Sequence, residues 1–191
     1  MTSVERPRRW PPYALAGLIV LAIIAALRFE GRIWWCKCGQ LLVWVSDVHS
    51  AHCSQHLLDA YAFTHVLHGV AFYGALAWLL ARVDFRWRFL IVLALESAWE
   101  ILENSLFVID RYRTHTAALG YEGDSVVNSL GDILACMAGA WFAHRLGWKW
   151  SLALWITLEV LLLFWIRDNL FLNVYMLLIP SESLKAWQAG G

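Results

Sequence analysis

The chain is 191 residues long, 60% hydrophobic and only 16% charged, with equal numbers of acidic and basic side chains and a mean hydropathy of +0.55. Soluble domains carry roughly 45–50% apolar and about 25% charged residues, so this composition excludes a disordered chain, a coiled coil and an ordinary soluble enzyme. Zero net charge gives nucleic-acid binding no electrostatic support, and 13 tryptophans suit a membrane–water interface.

Arg6, Arg8 and Arg9 head the first apolar stretch, 13–29. A basic head and a short apolar core also describe a cleaved signal peptide, but no small-residue cleavage site follows, only Ala26-Leu27-Arg28-Phe29-Glu30, and the stretch reads as an uncleaved span. Four more stretches follow at 61–81, 89–108, 125–143 and 150–166. Each has about the 17–25 residues that carry a helix across the hydrocarbon layer, and none contains proline. The expected fold is all-α: a polytopic membrane helix bundle of about five transmembrane helices, one membrane domain over 1–191. Residues 170–180 are too short to span and are expected to form a short interfacial C-terminal helix, the other option being an extension of the fifth span.

Short flanks set the orientation. Arg6, Arg8, Arg9, Arg82, Arg86, Arg88, Arg145 and Lys149 fall on one side with only Glu5 and Asp84 for acidic company. The positive-inside rule makes that side cytoplasmic. The N-terminus is then cytoplasmic, and segment 28–60, the 109–124 segment and the C-terminus face outward.

Ionisable groups inside a membrane helix are costly and mark functional sites. His65 and His68 are three residues apart on the second stretch; Glu96, Glu100 and Glu103 make one stripe on the third, with Asn104 adjoining; Asp124, Asn128 and Asp132 are spaced by four on the fourth. Three stretches thus aim polar groups at one depth, which predicts a polar cavity open to the outer side. A structural polar core that fixes helix order is the competing reading. Arg111, Arg113 and Arg167 are expected at the mouth, either neutralising carboxylates or holding an anion such as phosphate.

Segment 28–60 holds Cys36, Cys38 and Cys53 with His49, His52 and His56. In an oxidising compartment a disulfide joining Cys53 to Cys36 or Cys38 is expected; a metal site is the other reading. Cys136, in mid-stretch, reads as a small packing residue.

With these residues in view, the chain resembles a bacterial multi-pass inner-membrane family known as domain of unknown function 2585, or uncharacterised protein family 0314. The resemblance is carried by Cys36-Lys37-Cys38-Gly39, Ser54-Gln55-His56, Phe63-Thr64-His65-Val66-Leu67-His68-Gly69 and Ala98-Trp99-Glu100-Ile101-Leu102-Glu103-Asn104-Ser105. Asp110-Arg111-Tyr112-Arg113, Gly123-Asp124-Ser125-Val126-Val127-Asn128-Ser129, Ile166-Arg167-Asp168-Asn169-Leu170 and Ala186-Trp187-Gln188 continue it. The family more usually has Asn where Cys53 stands, and His49 and His52 lie outside its pattern, which leaves His56, His65 and His68 as the better histidine ligands. The resemblance implies an inner-membrane location rather than a reaction. A weaker resemblance is to VanZ-like membrane proteins, through Glu100, Arg113 and Asp124-x-x-x-Asn128-x-x-Gly131, with a longer Arg-to-Asp gap than those proteins show.

Two functions are expected to compete. One is an envelope scaffold or accessory protein. The other is a membrane-embedded, metal-dependent hydrolase acting on a lipid-linked or phosphate-bearing substrate. In the second, His65 or His68 is general base or ligand, Glu100, Glu103 and Asp124 hold a divalent metal or activate water, and Asn128 lines the same space. The metal candidates are His56, His65, His68, Glu100 and Glu103. Transport through the Glu and Asp stripe is disfavoured, because no polar path continues to Arg145. The expected partners are the lipid bilayer and an envelope protein or lipid-linked substrate.

Overall fold

The computed structural model describes residues 12–118 and 120–190; the basic head at Arg6, Arg8 and Arg9 lies outside them. The described residues form seven helices and one two-residue strand pair.

Helix α1, Pro12–Phe29, opens on a proline, whose missing N–H costs nothing in a first turn. It closes with Arg28, a cation at the carbonyl end of the helix dipole. Ile23 and Leu27 are buried against Leu93, Val126 and Ile133, whereas Tyr13, Leu21 and Phe29 are exposed.

Residues 30–60 form turns and the parallel pair β1, Trp44–Val45, and β2, Leu58–Asp59. This segment roofs one end of the helices. The amides of Val126 and Val127 donate to the carbonyls of Ile33 (2.8 Å) and Trp34 (3.1 Å), and that of Ser125 donates to Ser54 (2.9 Å). Helix N-termini leave such N–H groups without partners inside the helix, so the roof is bonded on where the next long helix begins.

Helices α2, Ala62–Leu79, and α3, Phe85–Glu103, are joined by a short turn in which the Asp84 carboxylate caps α3, accepting from the Arg86 amide at 2.9 Å. The expected unbroken stretch 89–108 is not one helix. The chain breaks at Asn104, whose side chain leaves to bond Asp124, and Ser105 caps a new helix α4, Leu106–His115.

Helix α5, Val126–Ile166, has 41 residues and an interruption at Gly147, where φ is 75° and ψ −179°. Side-chain-bearing residues rarely adopt that conformation. Both arms lie along α2. Gly69 of α2 meets the backbone of Cys136, and Gly139 meets that of Val66. On the second arm Leu162 and Ile166 pack on Ala60, Tyr61 and Phe63, beside the start of α2. The chain therefore doubles back at Gly147, inside the 144–149 interval between the last two apolar stretches. A Cβ on Gly69 or Gly139 would overlap the facing backbone, so the small residues permit the close helix approach seen between membrane helices.

Arg167, in a left-handed conformation (φ 55°), ends α5. Asn169 and Ser181 cap α6, Leu170–Leu178, and α7, Glu182–Gln188. Residues 170–178 are thus a separate helix, which corrects the option of an extended α5.

Among the described residues three helices, α1, α2 and α5, are long and apolar enough to cross a membrane, with mean hydropathies of 2.0, 1.2 and 1.6. Helix α3 matches α1 and α2 in length but carries Arg86, Arg88, Glu96, Glu100 and Glu103. Its N-terminal turn meets α5 just before the bend, with Phe85 stacked on His144 at 5.0 Å, and meets α2 through Arg88 over Tyr73 at 5.3 Å. Arg82, Arg86, Arg88, Arg145 and Lys149 therefore gather at the end opposite the roof.

Candidate functional site

The i, i+3 spacing of His65 and His68 on α2 turns both rings to α3. There Glu96 receives them together. His65 Nδ1 lies 2.6 Å from Glu96 Oε1, and His68 Nδ1 lies 3.2 Å from Oε2. With Nδ1 of each ring committed to this carboxylate, Nε2 is the free nitrogen. A carboxylate that fixes the ring in this way is the usual orienter of a ligand or base histidine.

One turn on, Glu100 is wholly buried, and its Oε1 is 3.4 Å from His65 Nδ1. Neither Glu100 oxygen accepts a hydrogen bond. Glu103 accepts from the Tyr112 hydroxyl at 2.8 Å through Oε1, while its Oε2 is unpartnered. One ring nitrogen of His65 and one oxygen each of Glu100 and Glu103 lie within 4.8 Å of one another; His65, His68 and Glu96 form a second such group. From α5, Asn128 and Asp132 each bring a buried polar atom without a partner, Nδ2 and Oδ1. Native proteins pair nearly all such atoms, so their concentration here marks a place built to receive something.

These groups border a cavity of about 580 Å³ whose wall includes His65, His68, Glu103, Asp124, Asn128, Asp132 and Asp168. Glu100 stands behind that wall, in contact with His65. Asp124 is better paired: it accepts from Asn104 Nδ2 (2.9 Å) and the Tyr121 hydroxyl (3.0 Å), and its amide donates to Asn104 Oδ1 (2.7 Å). Burial nonetheless pushes its carboxyl above the ordinary range, against those two hydrogen bonds. Asp168, just past α5, accepts from the Asn169 amide (2.9 Å) and Gln188 Nε2 (3.0 Å), and burial lifts it to about 6.

The structure brings His65, His68, Glu100, Glu103, Asp124 and Asn128 together. It does not bring the arginines. Arg111 donates to the carbonyls of Leu177 and Leu178, Arg113 to that of Tyr121, and Arg167 to that of Trp187. None lines the cavity. This corrects the expected anion-holding mouth: backbone carbonyls of the tail and the α4–α5 loop draw the three guanidinium groups away from the wall, whose ionisable groups are mainly histidines and carboxylates with Lys37 at its edge. His56 is likewise not at this site; it stands in the roof beside His52 and Cys38. The expected Cys53 disulfide is also corrected. All four cysteines are free, and Cys53 Sγ lies 3.5 Å from Asp59 Oδ2 while Cys36 faces His52.

Glu96 and Asp132, in the sequence stripes but given no role there, and Tyr112 and Asp168, outside the candidates, also stand at the cavity. Glu96 and Asp132 were legible in the α3 and α5 stripes, four residues before Glu100 and four after Asn128. Tyr112 and Asp168 carry no such signal, since a helix break and a helix end deliver them.

A mostly helical, apolar chain around a buried histidine–carboxylate cavity is the class the geometry defines. The chain belongs to the family described as "Protein of unknown function (DUF2585)", whose profile matches residues 27–190. Similar proteins, each called "UPF0314 protein", include that of Sphingopyxis alaskensis, 45% identical over 94% of this chain and 95% of its own. That of Paracoccus denitrificans is 46% identical over 95% and 94%, and that of Brucella anthropi 41% over 98% and 96%. No solved structure matches the chain.

Proposed function

We propose that the protein is a multi-pass protein of the bacterial inner membrane, folded as one membrane domain, that uses its acidic cavity to bind a divalent cation and hydrolyse a lipid-linked or phosphate-bearing envelope substrate. It would cross the bilayer five times, through α1, α2, α3 and the two arms of α5, with α6 at the outer interface. The basic end would be cytoplasmic and the roof, cavity and C-terminus periplasmic.

The observation that carries this reading is the pair of unpartnered oxygens on Glu100 beside His65. A carboxylate buried with no donor is expensive. A structural network would have paired it, as Asn104 and Tyr121 pair Asp124. His65, Glu100 and Glu103 would hold a divalent ion, which would supply the missing positive charge and the means to activate water. Glu96 holds both rings fixed, so that His65 would offer Nε2 to the ion while His68 keeps Nε2 free to move a proton. Asp132 and Asn128 lie where a polar substrate group would enter. With no arginine on the wall, a phosphate would be held through the cation.

A scaffold role is the second reading, favoured by the fully paired Asn104–Asp124–Tyr121 set that ties α3 to α5. Glu100→Gln separates the two. Loss of bound cation and of phosphate release from lipid phosphates in vesicles, with an unchanged melting temperature in detergent, supports the hydrolase. A collapse of folding with no metal dependence supports the scaffold.

A further inference from the structure

The roof carries a second set of ligand-type side chains, separate from the His65 and Glu100 groups. Cys36-Lys37-Cys38-Gly39 is a tight turn. The Gly39 amide donates back to the Cys36 carbonyl at 3.1 Å, and Gly39 has φ +77°, a left-handed conformation that favours glycine. The turn sets both thiols on the side where His52 and His56 arrive, four residues apart in a run of turns. One ligand atom from each of Cys36, Cys38, His52 and His56 lies within 4.8 Å of the other three.

The edges of this group have the size of a coordination tetrahedron. Cys36 Sγ is 3.3 Å from His52 Nδ1, His52 Nδ1 is 3.3 Å from His56 Nε2, and Cys38 Sγ is 3.9 Å from His56 Nε2. Zinc bound at about 2.3 Å to sulfur and about 2.0–2.1 Å to nitrogen requires edges of about 3.3–3.4 Å for N···N and about 3.5–3.6 Å for S···N. We infer that Cys36, Cys38, His52 and His56 form a structural zinc-class site that clips the roof of the cavity.

Binding releases the two thiol protons to solvent and leaves a neutral centre of two thiolates, two imidazoles and one divalent ion. One local adjustment accompanies it. The Leu42 amide donates to His56 Nδ1 at 3.1 Å, which keeps the ring proton on Nε2 in the metal-free form. Loading shifts that proton to Nδ1 and breaks the Leu42 contact, in a stretch of chain that is exposed. Cys53, held against Asp59, takes no part. His52, left aside on the family pattern, becomes the fourth ligand because the turns bring it between Cys36 and His56.

The test uses the full-length protein in detergent with zinc or cobalt alone as the probe. Cobalt is expected to give a thiolate charge-transfer band, and zinc to bind with one equivalent that survives in Glu100→Gln and is lost in Cys36→Ser and in Cys38→Ser. A wild-type measurement stands beside these variants in case they do not fold. Zinc is expected to slow alkylation of Cys36 and Cys38 at least tenfold while the Cys53 rate stays unchanged, and a chelator to reverse this. Absence of the cobalt–thiolate band, equal alkylation of Cys36 and Cys38 with and without zinc, or a Cys36–Cys38 disulfide in the purified protein would each overturn the site. Retention of one zinc equivalent in Glu100→Gln keeps the roof site distinct from the cavity; loss of all zinc in Glu100→Gln, with full binding kept in Cys36→Ser and Cys38→Ser, would overturn the roof site and leave the cavity reading standing.

Discussion

His65 and His68 share one acceptor. Glu96 Oε1 lies 2.6 Å from His65 Nδ1, and Glu96 Oε2 lies 3.2 Å from His68 Nδ1, so a single carboxylate on α3 sets the tautomer and tilt of two rings on α2. Glu96→Gln keeps the shape but offers only one acceptor oxygen and adds a donor. Metal affinity of the cavity is expected to fall about 10–100-fold, the usual consequence of losing such an orienting partner. Isothermal titration of detergent-solubilised protein with manganese or zinc, after the roof cysteines are blocked by alkylation, checks this; an unchanged affinity would remove Glu96 from the site.

The contact between α2 and the first arm of α5 rests on missing side chains. Gly139→Leu pushes a side chain into the Val66 backbone. The expected cost is at least about 1–3 kcal/mol, the range for overpacking a tight site. A Gly147→Ala change meets nothing in space, so its cost comes only from the backbone conformation and is expected at about 1–3 kcal/mol. Thermal unfolding of both variants tests the distinction: Gly139→Ala should already show much of the first loss, because its Cβ alone meets the Val66 carbonyl.

Asp168 gives a pH signature. Its carboxyl titrates near 6 in the folded protein, against about 3.9 for an unfolded aspartate. Between those values the folded state holds the proton and the unfolded state does not, so stability falls as pH rises through the interval. Asp168→Asn keeps an acceptor oxygen for the Asn169 amide and Gln188 and removes the titration. The variant should match wild type near pH 4 and gain on it up to pH 6, by at most about 2–3 kcal/mol. A difference that does not change with pH would show that Asp168 titrates normally.

Topology has a direct reading. Reporter fusions after Arg88 and after Arg145 are expected to signal a cytoplasmic position, and those after Ala60 and after Asp124 a periplasmic one. A periplasmic signal after Arg88 would invert the proposed bundle.

Much of this arrangement was readable in the residues. The apolar runs located α1, α2 and both arms of α5, and Gly147 fell where the basic Arg145 and Lys149 had already suggested a turn. The stripes at 65/68, 96/100/103 and 124/128/132 picked out three of the cavity walls, because helical spacing puts those positions on one face whatever the packing. What spacing could not show was the use of the cations. Arg111, Arg113 and Arg167 looked like a mouth for an anion, yet long side chains reach whichever carbonyls the tail leaves free, and that depends on where α6 and α7 dock. The cysteines failed for a similar reason. Proximity in sequence favoured a bridge to Cys53, while the turn at Gly39 and the left-handed Ser54 (φ 62°) aim the thiols elsewhere.

The main-chain bonds from Val126 and Val127 to Ile33 and Trp34 make the roof part of the helix beneath it. Lifting the roof would strip acceptors from the first turn of α5, the turn that carries Asn128, so access from above and order in the cavity wall oppose each other. Under the proposed function, a substrate with a lipid tail would have a different route, sideways between helices, that leaves those bonds intact. Amide hydrogen exchange at Val126 and Val127 is therefore a natural clock for the roof: slow exchange that stays slow during turnover would mean that material enters from the bilayer, and exchange that quickens with turnover would mean that it enters from water.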